Sequence, residues 1–325
     1  MGRILEDNPK IDFVIPWVDG NDPNHIASRN FYAAGHPVTK AIDIEQSIGS
    51  QRFESEDELK YCLRSIVNNA PWYNKIWLIT DDQVPVFLDQ EKLAVDRIEI
   101  IDHKTLFRGF EKYLPTFNTR SILTNVDKIP GLSQHFIIGN DDIFFARKVT
   151  SDFFLSNKGM KVYCDVIKRT DVPVSSIHYK GVLRSSNMIN PASDELLLLS
   201  HGFTILDKAT IAELRIRYAN DFDENLKFRF RHESQFLIES LICNHHLVNQ
   251  SADFMTTEQM IHFSFQLCRE GTPEKLAFLF SLLESGKRSM FCLNDFVALK
   301  KRCEWVTEKL ELLCGKPLRS EHNAN

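Results

Sequence analysis

The sequence contains no run approaching 18 uninterrupted apolar residues, so it offers no segment that would cross a membrane as a helix. Its first ten residues, MGRILEDNPK, carry charges where a signal peptide needs its apolar stretch, and Glu6 breaks the myristoylation pattern. None of the seven cysteines stands in C-x-x-C spacing with another, and no Cys/His set has the spacing of a zinc site. Cysteines odd in number and scattered singly fit buried thiols in a reducing compartment. There is no excess of basic charge either. A formal net charge of −5 gives no electrostatic reason for a nucleic-acid partner, and an anionic ligand would have to be held by a local cluster of Arg and Lys. No repeat and no low-complexity tract is present. These absences describe a cytoplasmic protein, with peripheral association at the inner face of the membrane left open.

What is present is an ordinary globular balance, 43% hydrophobic and 26% charged over 325 residues, enough for one large α/β domain or a catalytic core with a smaller addition. The 24 phenylalanines include the doublets Phe144-Phe145 and Phe153-Phe154, which suit a thick core or a wall around a planar ligand. Residues 11–18 (IDFVIPWV) read as a buried strand running into the turn Asp19-Gly20-Asn21-Asp22-Pro23. Residues 24–50 are weakly periodic, a loop with some helix. Residues 56–68 form the first clear helix, with Leu59, Cys62, Leu63 and Ile66 at i, i+3, i+4 and i+7. Strands follow at 75–80, 95–101 and 135–139, with a helix at 118–129. Such alternation indicates βα units around a mainly parallel sheet, where ligands gather beyond the carboxyl ends of strands. Residues 165–200 read as a loop or flap, 205–250 as largely helical, and 273 onward as amphipathic helix with a frayed polar tail (SEHNAN).

Asp141 and Asp142 stand at such a strand end. Adjacent carboxylates there can hold Mg²⁺ or Mn²⁺ against a diphosphate, or divide the work of base and ligand; a solvated turn with a helix cap is the plain alternative. Arg229 and Arg231, with Lys227 and His232, form the densest basic cluster, fit to grip phosphate oxygens or to be a solvated face. His201, at a strand-to-loop junction, can accept a proton from a hydroxyl, although a lone His is often structural. His245 and His246 read as core or surface residues. Trp17 could stack on a base or sugar or fill the core. Arg52 and Arg64 flank the first helix and could reach phosphate or pair with Glu56 or Asp57.

Together these segments resemble the Stealth family of sugar-phosphate transferases. The first family block is similar to 11–22 (IDFVIPWVDGND). The second runs from Arg52-Phe53 through Asp57-Glu58-Leu59-Lys60-Tyr61 and Ala70-Pro71-Trp72 to Ile79-Thr80-Asp81 and Gln83-Val84-Pro85. The third includes Leu114-Pro115-Thr116-Phe117-Asn118 and the surroundings of Asn140-Asp141-Asp142. A fourth takes in His201-Gly202 and Phe228 to His232, and a late Phe291-Cys292-Leu293-Asn294-Asp295 is similar to the family's closing Cys-Ile-Asn-Asp segment. Where the family usually has Phe-Asn-Ser-His-Ala-Ile-Glu, this chain has Arg120 in place of His and Leu123 in place of Glu.

The resemblance implies transfer of a hexose-1-phosphate from a UDP-sugar to an oligosaccharide or polysaccharide acceptor, with release of UMP. It names Asp141, Asp142, His201 and Arg231 as catalytic, the two aspartates also as ligands of Mg²⁺ or Mn²⁺. Trp17, Asp19, Gly20, Arg64, Asn118, Arg120, Asn140 and Arg229 become the substrate contacts. The expected fold is α/β, with a Rossmann-like, GT-A-like, mainly parallel sheet flanked by helices. Residues 1–255 would form the catalytic core and 256–325 a helical C-terminal extension packed on it. The rival readings are a metal-dependent glycosyltransferase releasing UDP and a sugar-binding protein without turnover, the second suggested by Arg120 and Leu123.

Overall fold

The computed structural model describes residues 9–35, 56–172 and 176–322. Arg52, positions 36–50 of the weakly periodic stretch and the last three residues of the tail lie outside the described residues. The strands are β1 (Ile11–Pro16), β2 (Ile76–Thr80), β3 (Ile98–Asp102), β4 (His135–Ile138), β5 (Ile143–Phe145), β6 (Leu155–Ser156), β7 (Gly159–Lys168), β8 (Glu195–Leu199), β9 (Thr204–Asp207), β10 (Ala252–Met255), β11 (Met260–Phe263) and β12 (Met290–Leu293). The central sheet has the order β3-β2-β1-β4-β9, with β1 to β4 mutually parallel and β9 antiparallel to β4. Every residue of β1 and β2 is buried, as expected of parallel strands covered on both faces.

The chain moves outward from β1 to β3 and then returns to the other side of β1 as β4. The order therefore reverses between β1 and β4, and the crevice outside their carboxyl ends is the topological switch point of this Rossmann-like sheet. The helix Glu58–Asn69 packs on it through Leu59, Cys62, Leu63 and Ile66, all at most 1% exposed, and stops at Ala70-Pro71. All seven cysteines are buried free thiols. No helix among the described residues is long and apolar enough to cross a membrane.

Several expectations are corrected. Residues 165–200 are not a loop: β7 continues to Lys168, a helix spans Ile177–Ile189, and β8 pairs antiparallel with β7. The expected helix at 118–129 is shorter, Thr119–Thr124 followed by a 3-10 turn. Residues 256–325 are not purely helical. β11 and β12 pair in parallel, and β12 pairs antiparallel with β5, which begins one residue beyond Asp142. The C-terminal segment is thereby woven into the region of the acidic turn. The described part of its tail, Ser320 to His322, is docked: the Ser320 amide donates to Asp96 Oδ2 (2.7 Å), the His322 amide to Phe87 O (3.0 Å), and Glu321 forms a β-bridge with Leu88.

Candidate active site

Gly139 ends β4 and opens the acidic turn. A Cβ there would sit 2.4 Å from the Phe203 ring, so only glycine lets the segment after His201 close on the turn. Asn140 is exposed, and Asp141 and Asp142 are half-buried behind it. The Asp142 carbonyl accepts the Leu293 amide (2.9 Å), which aligns the end of β12 with the turn. Asp142 Oδ2 accepts Asn294 Nδ2 (3.1 Å) and the Cys292 thiol (3.5 Å). Its Oδ1 is buried with no hydrogen-bond partner among the described residues. Asn294 Oδ1 in turn bonds His262 Nε2. The His262 ring stacks on His201 with centroids 3.8 Å apart, and His178 lies 6.0 Å beyond His201. Arg231 completes the cleft, near enough to Asp142 and Glu239 for their charges to favour its protonated form.

The three histidines line one cavity, and Asp142 is tied to them through Asn294. Arg231 is close enough to Asp142 and His178 to interact with their charges. Crowding by protein raises the pKa values of Asp141 and Asp142, and the neighbouring carboxylates Asp142 and Glu58 add to the rise at Asp141. Glu58, 8% exposed in the first turn of its helix, is pushed up to about 7 by burial, with Asp142 contributing. Desolvation lowers Arg231 to about 10 and Arg120 to about 9, the second also through repulsion from Arg231. On the cleft wall, desolvation holds His201 down at about 4, helped by His262. His178 falls to about 3 through the same effect and through its cationic neighbours. Both imidazoles are neutral at pH 7. The site therefore offers a proton-accepting ring, a guanidinium for anionic oxygens, and carboxylates with free acceptor capacity. Among the described residues, no group of three or more His, Cys, Asp and Glu side chains is arranged to hold a metal ion.

Trp17, Asp19 and Gly20 leave the carboxyl end of β1 beside the acidic turn. Trp17 is half-buried against the core, and its Nε1 is buried without a partner among the described residues. The Asp19 turn is clamped by Gln83, whose Oε1 accepts the Asp19 amide (2.8 Å).

Four expected substrate contacts have other partners. Arg64 is buried in a two-pronged pair with Glu321 of the docked tail (Nε to Oε1 2.7 Å). Arg229 stacks on Tyr32 at 4.6 Å and donates to the carbonyls of Lys112 and Leu114. Asn118 is fully buried; its Nδ2 donates to Phe228 O (3.0 Å), Phe230 O (3.0 Å) and Gln235 Oε1 (2.8 Å), and its Oδ1 caps the next helix. Arg120 donates to the carbonyls of His232 and Ile177. In each case a buried polar group must find hydrogen-bond partners, and the nearest are backbone carbonyls or a carboxylate. Asn118 and Arg120 consequently hold the segment that carries Arg231. His245 and His246 stay outside the cleft, His246 bonding Asp207 (2.9 Å).

Sequence reasoning missed Glu58, His178, His262, Glu239 and the role of Asn294. Only Glu58 and Asn294 had a signal, each standing in a segment that resembles the family without a role assigned to it, Asn294 directly after the apolar strand MFCL. A cavity of about 310 Å³ opens beside the histidines, lined by Asp165, His178, Tyr179, Ser200, His201 and His262 among others.

Comparison with known proteins places this arrangement in context. Residues 9–37 match the family model for Stealth protein CR1, conserved region 1, and residues 52–163 that for Stealth protein CR2, conserved region 2. The chain is 31% identical over 306 residues to the exopolysaccharide phosphotransferase SCO6023 of Streptomyces coelicolor, covering 92% of this chain and 50% of that one. It is 27% identical over 300 residues to the capsular polysaccharide phosphotransferase fcs1 of Haemophilus influenzae, covering 88% and 78%. It spans about half the length of the first of the curated relatives it matches. Among solved structures it is similar to the galactosyltransferase LgtC with donor and acceptor sugar analogs, at a TM-score of 0.43 and 11% identity over 94% of this chain and 98% of that one.

Proposed function

The chain belongs to the Stealth family, and from that premise we propose that it transfers a hexose-1-phosphate from a nucleotide sugar to a sugar hydroxyl in capsule or exopolysaccharide synthesis. The donor is a UDP-N-acetylhexosamine and the nucleotide product UMP. The observation that supports this reading is the chain of contacts Asp142–Asn294–His262–His201 at the switch point, with Arg231 close enough to Asp142 for their charges to interact.

The acceptor oxygen forms a bond to the phosphorus that bears the sugar. The bond from that phosphorus to the bridging oxygen breaks, and UMP leaves with its electron pair. The work of the protein is alignment and charge stabilisation. Arg231 faces the non-bridging oxygens, while Arg120 behind it fixes the backbone that presents it. His201, neutral in the free cleft, takes the hydroxyl proton; the anionic diphosphate beside it raises its affinity for that proton toward the working range. The Asp19-Gly20 turn and Trp17 border the nucleotide half of the crevice.

Asp141 and Asp142 suit Mg²⁺ or Mn²⁺. Two carboxylates, one with a buried oxygen lacking a partner, fit a hard cation that completes its shell from a diphosphate and water. When bound, that ion would offset the charge that builds on the departing UMP phosphate.

The test is to incubate the purified protein with UDP-N-acetylglucosamine, Mg²⁺ and a capsule-type oligosaccharide and to identify the released nucleotide. UMP is the expected product. UDP would overturn the reading in favour of attack at the sugar carbon, and release of neither across several donors and acceptors would remove the enzymatic reading altogether.

A further inference from the structure

One face of β7 carries two adjoining cavities. Lys161, Tyr163 and Asp165 alternate with the buried Val162 and Cys164, so their side chains share a face of the strand. Asp165 lines the cavity beside the histidines. Lys161 and Tyr163 line a second one, of about 610 Å³, that the mechanism above does not use. β10 runs alongside with Met255 opposite Tyr163, and the chain continues through Thr256 to Thr257, whose hydroxyl donates to both Asp165 carboxylate oxygens (3.0 Å each). Met255 and Thr256 line the second cavity and Thr257 the first. Tyr163 and Asp165 are roughly 7 Å apart along the strand, so the linings of the two spaces lie two residues apart on one face of β7.

The second cavity combines an aromatic platform with cations. Phe153 and Tyr163 stack with centroids 4.8 Å apart and planes 22° from parallel, and the Tyr163 hydroxyl donates to Phe153 O (2.9 Å). Arg147, Lys148 and Lys161 line the same space, against Asp152 and Glu258. The Asp152 carboxylate already accepts the Thr150 hydroxyl, and Lys161 Nζ spends one proton on Asp152 O (2.6 Å), keeping the others.

We infer that a polysaccharide acceptor lies along this face of β7, its reacting end in the histidine-lined cavity and an upstream, phosphodiester-bearing stretch in the second one. The inference rests on the phosphotransferase reading: an acceptor already extended by that reaction carries a negative charge at each linkage, which arginine and lysine recognise, and sugar rings that pack on aromatic faces. An anionic membrane is the less fitting partner, because Arg147, Lys148 and Lys161 line a cavity and do not stand on a protruding face.

The test compares wild-type protein with R147E/K148E/K161E, none of these residues belonging to the catalytic machinery. Probes are a fluorescein-labelled hexamer of N-acetylglucosamine joined through phosphodiesters, its neutral counterpart chitohexaose, and phosphatidylglycerol vesicles. The variant should bind the phosphodiester hexamer about tenfold more weakly or worse, with a reduced salt dependence. Its KM for that hexamer as acceptor should rise in parallel, while transfer to a single sugar stays within about twofold of wild type. The milder R147Q/K148Q, at two exposed positions, should shift binding in the same direction and guards against a folding defect. Unchanged hexamer binding in both variants, an equal loss on chitohexaose, or a wild-type preference for vesicles would each overturn the inference. Binding needs no turnover, so a protein that releases no UMP would refute the reaction while the groove is still tested.

Discussion

Asn118 separates a substrate contact from a structural latch, and the two roles predict opposite measurements. Its amide nitrogen is shared among Phe228 O, Phe230 O and Gln235 Oε1, and its Oδ1 accepts the Arg120 amide. Asn118→Ala removes an N-cap worth about 1 kcal/mol. It also strands buried acceptors at about 1 to 3 kcal/mol for the set that cannot find new partners. The sum is roughly 2 to 4 kcal/mol, a large part of a stability of about 5 to 15 kcal/mol. At an unfolding entropy of about 2.1 cal/mol/K per residue, a chain of this length should lose roughly 3 to 6 °C of Tm. Asn118→Ser, which keeps a capping oxygen, should recover about 1 kcal/mol of that loss. The assay is thermal melting of the three proteins together with steady-state kinetics well below Tm. The latch role predicts a lower Tm ranked wild type, Ser, Ala, with the donor KM little changed. An unchanged Tm with a raised donor KM would refute it and return Asn118 to the substrate.

Asp142→Asn and Arg231→Ala should each lower kcat about a hundredfold, on the order of 3 kcal/mol of barrier, with Tm near that of wild type; retention of activity by either, measured as nucleotide release, would remove it from the chemistry. Glu58 titrates at about 7 when folded against an ordinary 4.5, so its contribution is complete below pH 4.5 and is lost as pH rises through 7. Glu58→Gln should therefore flatten the fall in Tm between pH 5 and pH 8 measured with a chelator present, by on the order of 3 kcal/mol, and identical profiles would refute the assignment. Arg64→Met breaks a buried ion pair and leaves Glu321 uncompensated, which should cost about 3 to 5 kcal/mol in denaturant melts. Its kcat should stay near wild type at temperatures where the variant is folded, and a selective loss of kcat would restore the substrate role.

The central sheet was legible because its strands are continuous apolar runs, IDFVIP and IWLIT among them, and the first helix because its four apolar positions keep the 3.6-residue period. The C-terminal strands MIHF and MFCL were not, since four apolar residues between helical segments fit a turn of buried helix equally well. β7 was hidden for a different reason. Its buried Val162 and Cys164 alternate with Lys161, Tyr163 and Asp165, and the polar half of that alternation reads as loop when the groove it faces is unknown. The acidic pair stood out locally, whereas sequence shows Arg64, Asn118, Arg120 and Arg229 as polar groups without the carbonyl or carboxylate each one bonds in the fold.

The histidines show where reading along the chain meets its limit and what the fold adds. His178, His201 and His262 come from three segments and acquire meaning only in series, the last of them tied through Asn294 to Asp142. That series exists because β12 lies between β5 and β11, so a segment that could be taken for an appended helical tail supplies the middle of the site. Asp142 is thus held on one side by the turn that leaves β4 and on the other by β12. The contact chain from Asp142 to His201 forms only when the core sheet and the C-terminal strands are folded together, which ties the geometry of the candidate site to the integrity of the β5–β12 pairing.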